Sequence, residues 1–258
     1  MSYHFVFVHG ASHGGWCWFK VRSLLENKGH KVSCVDLAGA GINPSDANTI
    51  LTFDAYNKPL IDFMSALSED EKVILVGHSF GGMNVTDAMN KFVNKVVVAI
   101  YVNAAMLPSF GELAASLPFQ GPHKQANWSD FLEMYEIWFG LGPDKPPTSI
   151  LLKKEYQRQL LYNLSPVEDS TLAAMLLRPM PVMAQGIPNF GVGDGVDKVK
   201  RVCIRGTSDT FFSDASFESQ IKMWPPTEIF TVESDHCPFF SAPTQLFHLL
   251  LRAMIDPF

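Results

Sequence analysis

The sequence predicts an α/β domain: a mostly parallel sheet with helices on both faces and an inserted helical cap. Three observations carry this. Short β-branched apolar runs alternate with helically spaced segments from the N-terminus to about Ala104. That rhythm stops after Leu107 and resumes near Val199. Apolar residues make up 47% of the 258 and charged ones 18%, enough for a large core and too apolar for a disordered chain.

In chain order, "HFVFVHG" (His4–Gly10) reads as the first strand and "GWCWFKVRSLLENKG" (Gly15–Gly29) as an amphipathic helix. "HKVSCVDL" (His30–Leu37) is the second strand, and "FDAYNKPLIDFMSAL" (Phe53–Leu67) has helical spacing. "KVILVGHS" followed by "GGMNVTDAMNKF" is strand, turn and helix; "KVVVAIYVNA" (Lys95–Ala104) is the next strand. From Pro108 to about Asn189 the text is helical, as in "NWSDFLEMYEIWFG" and "KKEYQRQLLYNL", broken at "GLGPDKPP" and "RPMPV", with no strong strand. "VKRVCIRG" and "EIFTVES" are strands again, and "APTQLFHLLLRAMI" closes the chain as a helix. The expected division is a core of residues 1–107 and 190–258 around a helical cap of 108–189.

A formal charge of −6 argues against a nucleic-acid surface and points to a small-molecule partner. No apolar stretch is long enough to span a bilayer, and the N-terminus shows no signal-peptide pattern. Four cysteines, Cys17, Cys34, Cys203 and Cys237, are too scattered for a disulfide framework or zinc site and suit a reducing cytoplasm. Histidines and carboxylates do not cluster at ligand spacing, so no metal is expected. "GAGIN" lacks the strand-linked glycine pattern of a dinucleotide site, so no cofactor is expected.

The chemistry is concentrated at "KVILVGHSFGGMN". Gly77-His78-Ser79-Phe80-Gly81 fits G-x-S-x-G at a strand end before a helix. A sharp turn there strains the serine backbone and projects its hydroxyl at the carboxyl edge of the sheet. A neutral serine is a weak nucleophile, and this motif takes its partners in the order serine, acid, histidine. Asp209, just past "VKRVCIRG", and His236, just past the last strand, satisfy that order as orienting acid and general base. Asp235 is the rival acid, but a neighbour of the histidine cannot easily reach round to its ring; Asp214 reads as the cap of the next helix. The loop "HGASHGGW" after the first strand should supply an oxyanion donor from the backbone of Ala11, with the N–H of Phe80 as the second. His9 and His78 read as organisers of their loops.

With these residues in place the chain resembles the plant methylesterase family of α/β-hydrolases. The likeness runs nearly end to end through "HFVFVHGASHGGWCW", "GHKVSCVDLAGAGINP", "EKVILVGHSFGGMNV", "LSPVEDSTLAAMLLRP", "VKRVCIRGTSD" and "SDHCPFFS". That family includes salicylate, jasmonate and indole-acetate methylesterases, polyneuridine aldehyde esterase and pheophorbidase. The ending looks most like the branch of pheophorbidase and the esterases of fluorescent chlorophyll catabolites. The resemblance implies the α/β-hydrolase fold and hydrolysis of a small metabolite's methyl ester through an acyl-serine, without cofactor. It puts Ser79, Asp209 and His236 on the family's triad and Ala11 and Phe80 on its oxyanion donors. It is also compatible with a homodimer. The related hydroxynitrile lyases carry a threonine at Gly10 and a lysine at Cys237, and decarboxylating relatives lack the serine; this chain keeps the esterase set.

Aromatic and methionine side chains of the cap would wall an apolar site for an aromatic or polycyclic acyl group. Trp128, Phe131, Tyr135 and Trp138 are the leading wall candidates there, with Phe119, Met134, Phe139, Met180 and Met183 behind them. Phe80, Phe211 and Phe212 would add to the wall from the sheet edge. For any cap residue, packing within the cap competes with ligand contact. Two rival functions remain: a ligand sensor that keeps the triad but barely turns over, and a lyase that needs no acyl intermediate.

Overall fold

The computed structural model describes residues 2–108, 133–182 and 196–255. Strands β1 (His4–Val8), β2 (Lys31–Val35), β3 (Val73–His78), β4 (Val96–Val102), β8 (Lys200–Gly206) and β9 (Glu228–Val232) form one sheet in the order β2-β1-β3-β4-β8-β9, with every pair parallel. Helices α1 (Phe19–Asn27), α2 (Phe53–Ala66), α3 (Gly81–Lys91), α6 (Asp214–Met223), α7 (Pro238–Ser241) and α8 (Pro243–Arg252) belong to the same part of the chain.

Side chains alternate across each strand, so a sheet covered on both faces needs apolar residues at every position. Val6 and Val8 of β1 join one core cluster with Leu60 and Met64 of α2. Phe5 and Phe7 join the other, with Val21 and Leu25 of α1 and Leu246 and Leu250 of α8. In β3, Val73 and Leu75 face the first cluster while Ile74 and Val76 face the second. These continuous apolar runs are what the sequence displays.

Strand order also places the site. The chain leaves β1 for β2 on one side, then crosses back to β3 on the other, so order reverses between β1 and β3. The helices after those two strands, α1 and α3, pack on opposite faces of the sheet, and the carboxyl ends at such a switch are the usual seat of ligands. Ser79 follows β3 and Ala11 follows β1.

The inserted region corrects the expectation of a purely helical cap. Strands β5 (Tyr135–Trp138), β6 (Ser149–Leu152) and β7 (Met180–Pro181) form a three-stranded antiparallel sheet of their own. "KKEYQRQL" is helical as expected, in α4 (Lys154–Leu160), and is followed by α5 (Val167–Leu176). "YEIW" forms a strand because it pairs residue for residue with "SILL", from Tyr135 opposite Leu152 to Trp138 opposite Ser149. Pro181 is tolerated because β7 is an edge strand, where no ladder N–H is demanded of it. Asp214 is the first residue of α6, not its cap: the Ser213 side chain caps the helix by accepting from the Ser216 N–H, while Asp214 pairs with Arg205.

Among the described residues no helix is long and apolar enough to cross a membrane.

Candidate active site

Ser79 sits at the turn between β3 and α3 with φ of +53°, a left-handed conformation that non-glycine residues rarely adopt. The turn is held by Ala105 N–H and Gly82 N–H donating to the Ser79 carbonyl, at 3.0 and 3.2 Å. Such strain persists only where the surroundings enforce it, and here they do. A Cβ on Gly81 would stand 2.4 Å from the His9 carbonyl oxygen, and one on Gly10 would stand 2.8 Å from the Ser79 Cβ. Glycine at these two positions lets the loop after β1 lie directly against the serine turn. The Gly10–Ala11 backbone is thereby brought beside Ser79, and Phe80 stands at the cap position of α3, whose N-terminal end carries partial positive charge.

His236 stands in the loop after β9, with its Nε2 3.0 Å from Ser79 Oγ and its Nδ1 2.9 Å from Asp209 Oδ2. A carboxylate can only accept, so Nδ1–H donates to Asp209 and Nε2 is left to accept the serine proton. Asp209 Oδ1 takes backbone N–H donations from Phe211 at 2.8 Å and Phe212 at 3.1 Å, which orients the carboxylate within its own loop. Ser79, Asp209 and His236 are all buried, so this chain of hydrogen bonds is shielded from competing water. It can move a proton from hydroxyl to imidazole while the carboxylate supports the resulting charge.

The main chain of His236 is fixed as well. Its carbonyl accepts from His78 Nε2 at 2.8 Å and from Asn103 Nδ2 at 3.2 Å, and Asn103 is itself left-handed with φ of +42°. His9 donates from Nδ1 to the Gly10 carbonyl at 2.7 Å and accepts the Leu37 N–H on Nε2 at 3.1 Å. Both histidines thus organise loops. Burial holds the His78 imidazole well below its ordinary range, with the neighbouring His236 adding to the effect.

Of the wall candidates, Phe211 lies with its ring centroid 4.8 Å from that of His236, and Phe212 at 5.5 Å. Phe80 is buried against the core cluster that contains Tyr56. Tyr135 and Trp138 both stand on β5 of the cap sheet, and Tyr135 packs against the second core cluster, as Phe211 does. Trp128 and Phe131, with Phe119 and Met183, lie outside the described residues.

Two residues at this site escape a reading of motifs. His13, in the loop after β1, is buried; its Nδ1–H donates to the Ala11 carbonyl at 3.0 Å, and its Nε2 therefore accepts from the Tyr162 hydroxyl at 2.8 Å. Burial pushes its imidazole down to about 3, so the ring is neutral at working pH. The signal was present in "HGASHGGW", a histidine inside a glycine loop, but its partner lies in the cap. Asp235 does not serve the His236 ring. Its Oδ2 accepts from the N–H groups of Leu164 and Ser165 and from Ser165 Oγ, and its Oδ1 from Cys237 N–H and Ser241 Oγ.

The family model described as "Alpha/beta hydrolase family" matches residues 5–249. Methylesterase 18 of Arabidopsis thaliana is 46% identical, over 98% of this chain and 97% of that protein. Pheophorbidase of Raphanus sativus is 43% identical, over 97% of this chain and 94% of that protein. A crystal structure of a methylesterase from Arabidopsis superposes with a TM-score of 0.85 at 43% identity, covering 97% of this chain and 98% of the other. With the fold, the strained serine and the hydrogen-bonded histidine in the same places that the motifs put them, the chain belongs to the methylesterases of the alpha/beta hydrolase family.

Proposed function

We propose that the protein is a serine methylesterase that hydrolyses the methyl ester of a small, largely apolar carboxylic acid and releases methanol. The observation that carries this reading is the continuous path from Ser79 Oγ through the imidazole of His236 to Asp209, with links of 3.0 and 2.9 Å. Ser79 Oγ attacks the ester carbonyl carbon as His236 Nε2 takes the hydroxyl proton. The oxyanion is met by the N–H groups of Ala11 and Phe80, each such donor being worth ~10²–10³ in turnover. The bond from the carbonyl carbon to the methoxy oxygen then breaks, and His236 returns its proton to give methanol. Water, activated by the same imidazole, releases the acid and restores Ser79.

Phe211 and Phe212, beside the His236 ring, are the substrate-facing wall on the acid side and favour an aromatic or polycyclic acyl group. Tyr135 and Trp138 on β5 are its counterparts in the cap. The substrate classes to try are those of the relatives: a chlorophyll catabolite, a hormone ester and an alkaloid ester. All four cysteines are unpaired, which supports a reducing compartment such as the cytoplasm.

The test is methanol release across those three ester classes by the wild type and by Ser79→Ala. We expect turnover of at least one ester, lost on the order of 10⁴-fold or more in the variant, with ligand binding retained. Wild-type turnover by Ser79→Ala would rule out the acyl-serine route. Ligand-dependent change in the cap without methanol release would point to a sensor.

A further inference from the structure

The run Gln159–Ser165, "QLLYNLS", covers the end of α4 and the link towards α5 in the cap, and the proposed chemistry does not use it. It nonetheless bonds to all three loops that carry the site apart from the serine turn. The Tyr162 hydroxyl donates to His13 Nε2 at 2.8 Å, and His13 in turn donates to the Ala11 carbonyl. Asn163 Nδ2 donates to the Ser208 carbonyl at 3.3 Å, next to Asp209. Thr210 Oγ1, on the other side of Asp209, donates to the carbonyls of Gln159 and Leu160 at 3.1 and 3.2 Å. Leu164 N–H, Ser165 N–H and Ser165 Oγ reach Asp235 Oδ2 at 3.0, 2.7 and 2.7 Å, immediately before His236.

We propose that Gln159–Ser165 is a positioning strap that sets the oxyanion loop, the acid loop and the histidine loop relative to one another, with Tyr162 and Ser165 as its two principal residues. This rests on the esterase reading above. Tyr162 and Ser165 are buried to within 1% of full exclusion from solvent, so neither is open to substrate.

Each bond lands one residue or one side chain away from a reacting group. Because the His13 imidazole is neutral, its tautomer is dictated by the Ala11 carbonyl, and the Tyr162 hydroxyl is the near donor to Nε2, with the Cys237 thiol farther off at 4.0 Å. That bond holds the Ala11 carbonyl, and with it the turn at Ser12, which is left-handed at φ of +63°. At the other end, Asp235 joins the strap to Cys237 N–H and Ser241 Oγ, so one carboxylate spans the main chain on both sides of His236. A burial role alone would be met by apolar side chains. Directional bonds aimed at three loops instead fix geometry, and small displacements of reacting groups carry large rate penalties.

The test uses the full chain with Tyr162→Phe, Ser165→Ala and the partly exposed Asn163→Ala, the last guarding against misfolding of the buried variants. Four quantities are read below each variant's unfolding temperature: kcat and KM on the best methyl ester, affinity for a trifluoromethyl ketone that adds to Ser79, and the rate of Ser79 labelling by a fluorophosphonate. For Tyr162→Phe we expect kcat to fall about five- to tenfold with KM nearly unchanged, the loss of one net hydrogen bond, and ketone affinity to fall by the same factor. Ser165→Ala should lower kcat similarly and slow fluorophosphonate labelling, and Asn163→Ala should lower kcat roughly twofold. Variants that melt at lower temperature but keep wild-type kcat and labelling would overturn the strap, as would losses confined to KM. A wild type that labels and turns over beside unaffected variants sinks this proposal alone; a wild type whose Ser79 neither labels nor turns over sinks the esterase reading and the strap together.

Discussion

The core sheet and the cap sheet differ in how evenly they are buried and in how many polar ties they carry. Parallel strands β1, β3 and β4 are buried on both faces, and their side chains feed two apolar clusters. The cap strands are antiparallel and unevenly buried: β5 shows no fully buried residue, whereas β6 and β7 are mostly buried. Cap and core share apolar contacts, with Leu152, Leu161, Tyr162 and Ala173 in the second core cluster, and polar bonds add to them. Asn48 Oδ1 accepts from the hydroxyls of Thr148 at 2.6 Å and Ser149 at 2.9 Å. The Arg178 guanidinium donates to the carbonyls of Gly41 at 3.0 Å and Ser45 at 3.3 Å. Lys20 pairs with the buried Asp169. Apolar burial is non-directional and supplies most of the stability, whereas hydrogen bonds contribute little net energy and much geometry. The difference teaches that the core sheet rests on apolar burial alone at its centre, while the cap adds directional polar stitches to its apolar contacts.

The largest effect should come from removing core area and comparing it with the cap. Phe7, fully buried with its ring 4.6 Å from that of Trp18, should cost about 3–5 kcal/mol as Phe7→Ala. Ile137→Ala on β5, a partly exposed position, should cost less than about 1 kcal/mol. Urea unfolding followed at equilibrium measures both. Equal costs would erase the contrast between the two sheets.

Acid offers a second way to sharpen it, because the core side of the site is rich in buried histidine. Burial lowers His9, His13 and His78 from their ordinary range, His13 to about 3. A folded-state value below the unfolded one means that, in the interval between them, the unfolded chain binds the extra proton. Stability therefore rises with pH there and is lost as pH falls. For His13 the window runs from the ordinary 6.5 down to about 3. Each such histidine should steepen the loss by about 1.4 kcal/mol per pH unit. Unfolding free energies at pH 7, 6 and 5 test this. His13→Gln should flatten the slope by close to one proton, and an unchanged slope would mean that the ring is not held neutral.

What the sequence made legible follows the same division. Doubly buried strands must be apolar at every position, so "HFVFV", "VILVGH" and "VVVAIYV" announce themselves. Ser79 is readable because it directly follows such a strand, and Asp209 and His236 because they stand in the loops after β8 and β9 in the order that topology fixes. The cap strand Tyr135–Trp138 is not readable. Its aromatics fall at helical spacing within "NWSDFLEMYEIWFG", and what makes it a strand is a partner beginning at Ser149. His13 and Asp235 were hidden for a related reason: their partners, Tyr162 and Ser165, stand 149 and 70 residues away. Asp235 could be excluded as the acid from its adjacency to His236, but no local pattern discloses the donors waiting for it.

The polar stitches come last, and their loss should be the most informative about substrate. Asn48→Ala removes the shared acceptor of Thr148 and Ser149, both fully buried, at the first strand pair of the cap sheet. Thr148 retains the Trp138 carbonyl as an alternative acceptor at 3.1 Å, so the loss falls mainly on Ser149. Destabilisation of about 1–3 kcal/mol is expected, because a buried hydroxyl loses its acceptor. Asn48 bonds to none of the triad, so turnover of a short methyl ester such as methyl acetate should change less than about twofold. A bulky ester that must be gripped by β5 and β6 should instead show KM raised roughly fivefold, the kinetic form of lost uniform binding. Loss of kcat on both esters would mean that the cap sheet aligns the reacting groups as the strap does. Loss of KM on the bulky ester alone would separate the two parts of the cap: one run of chain for alignment and one sheet for recognition.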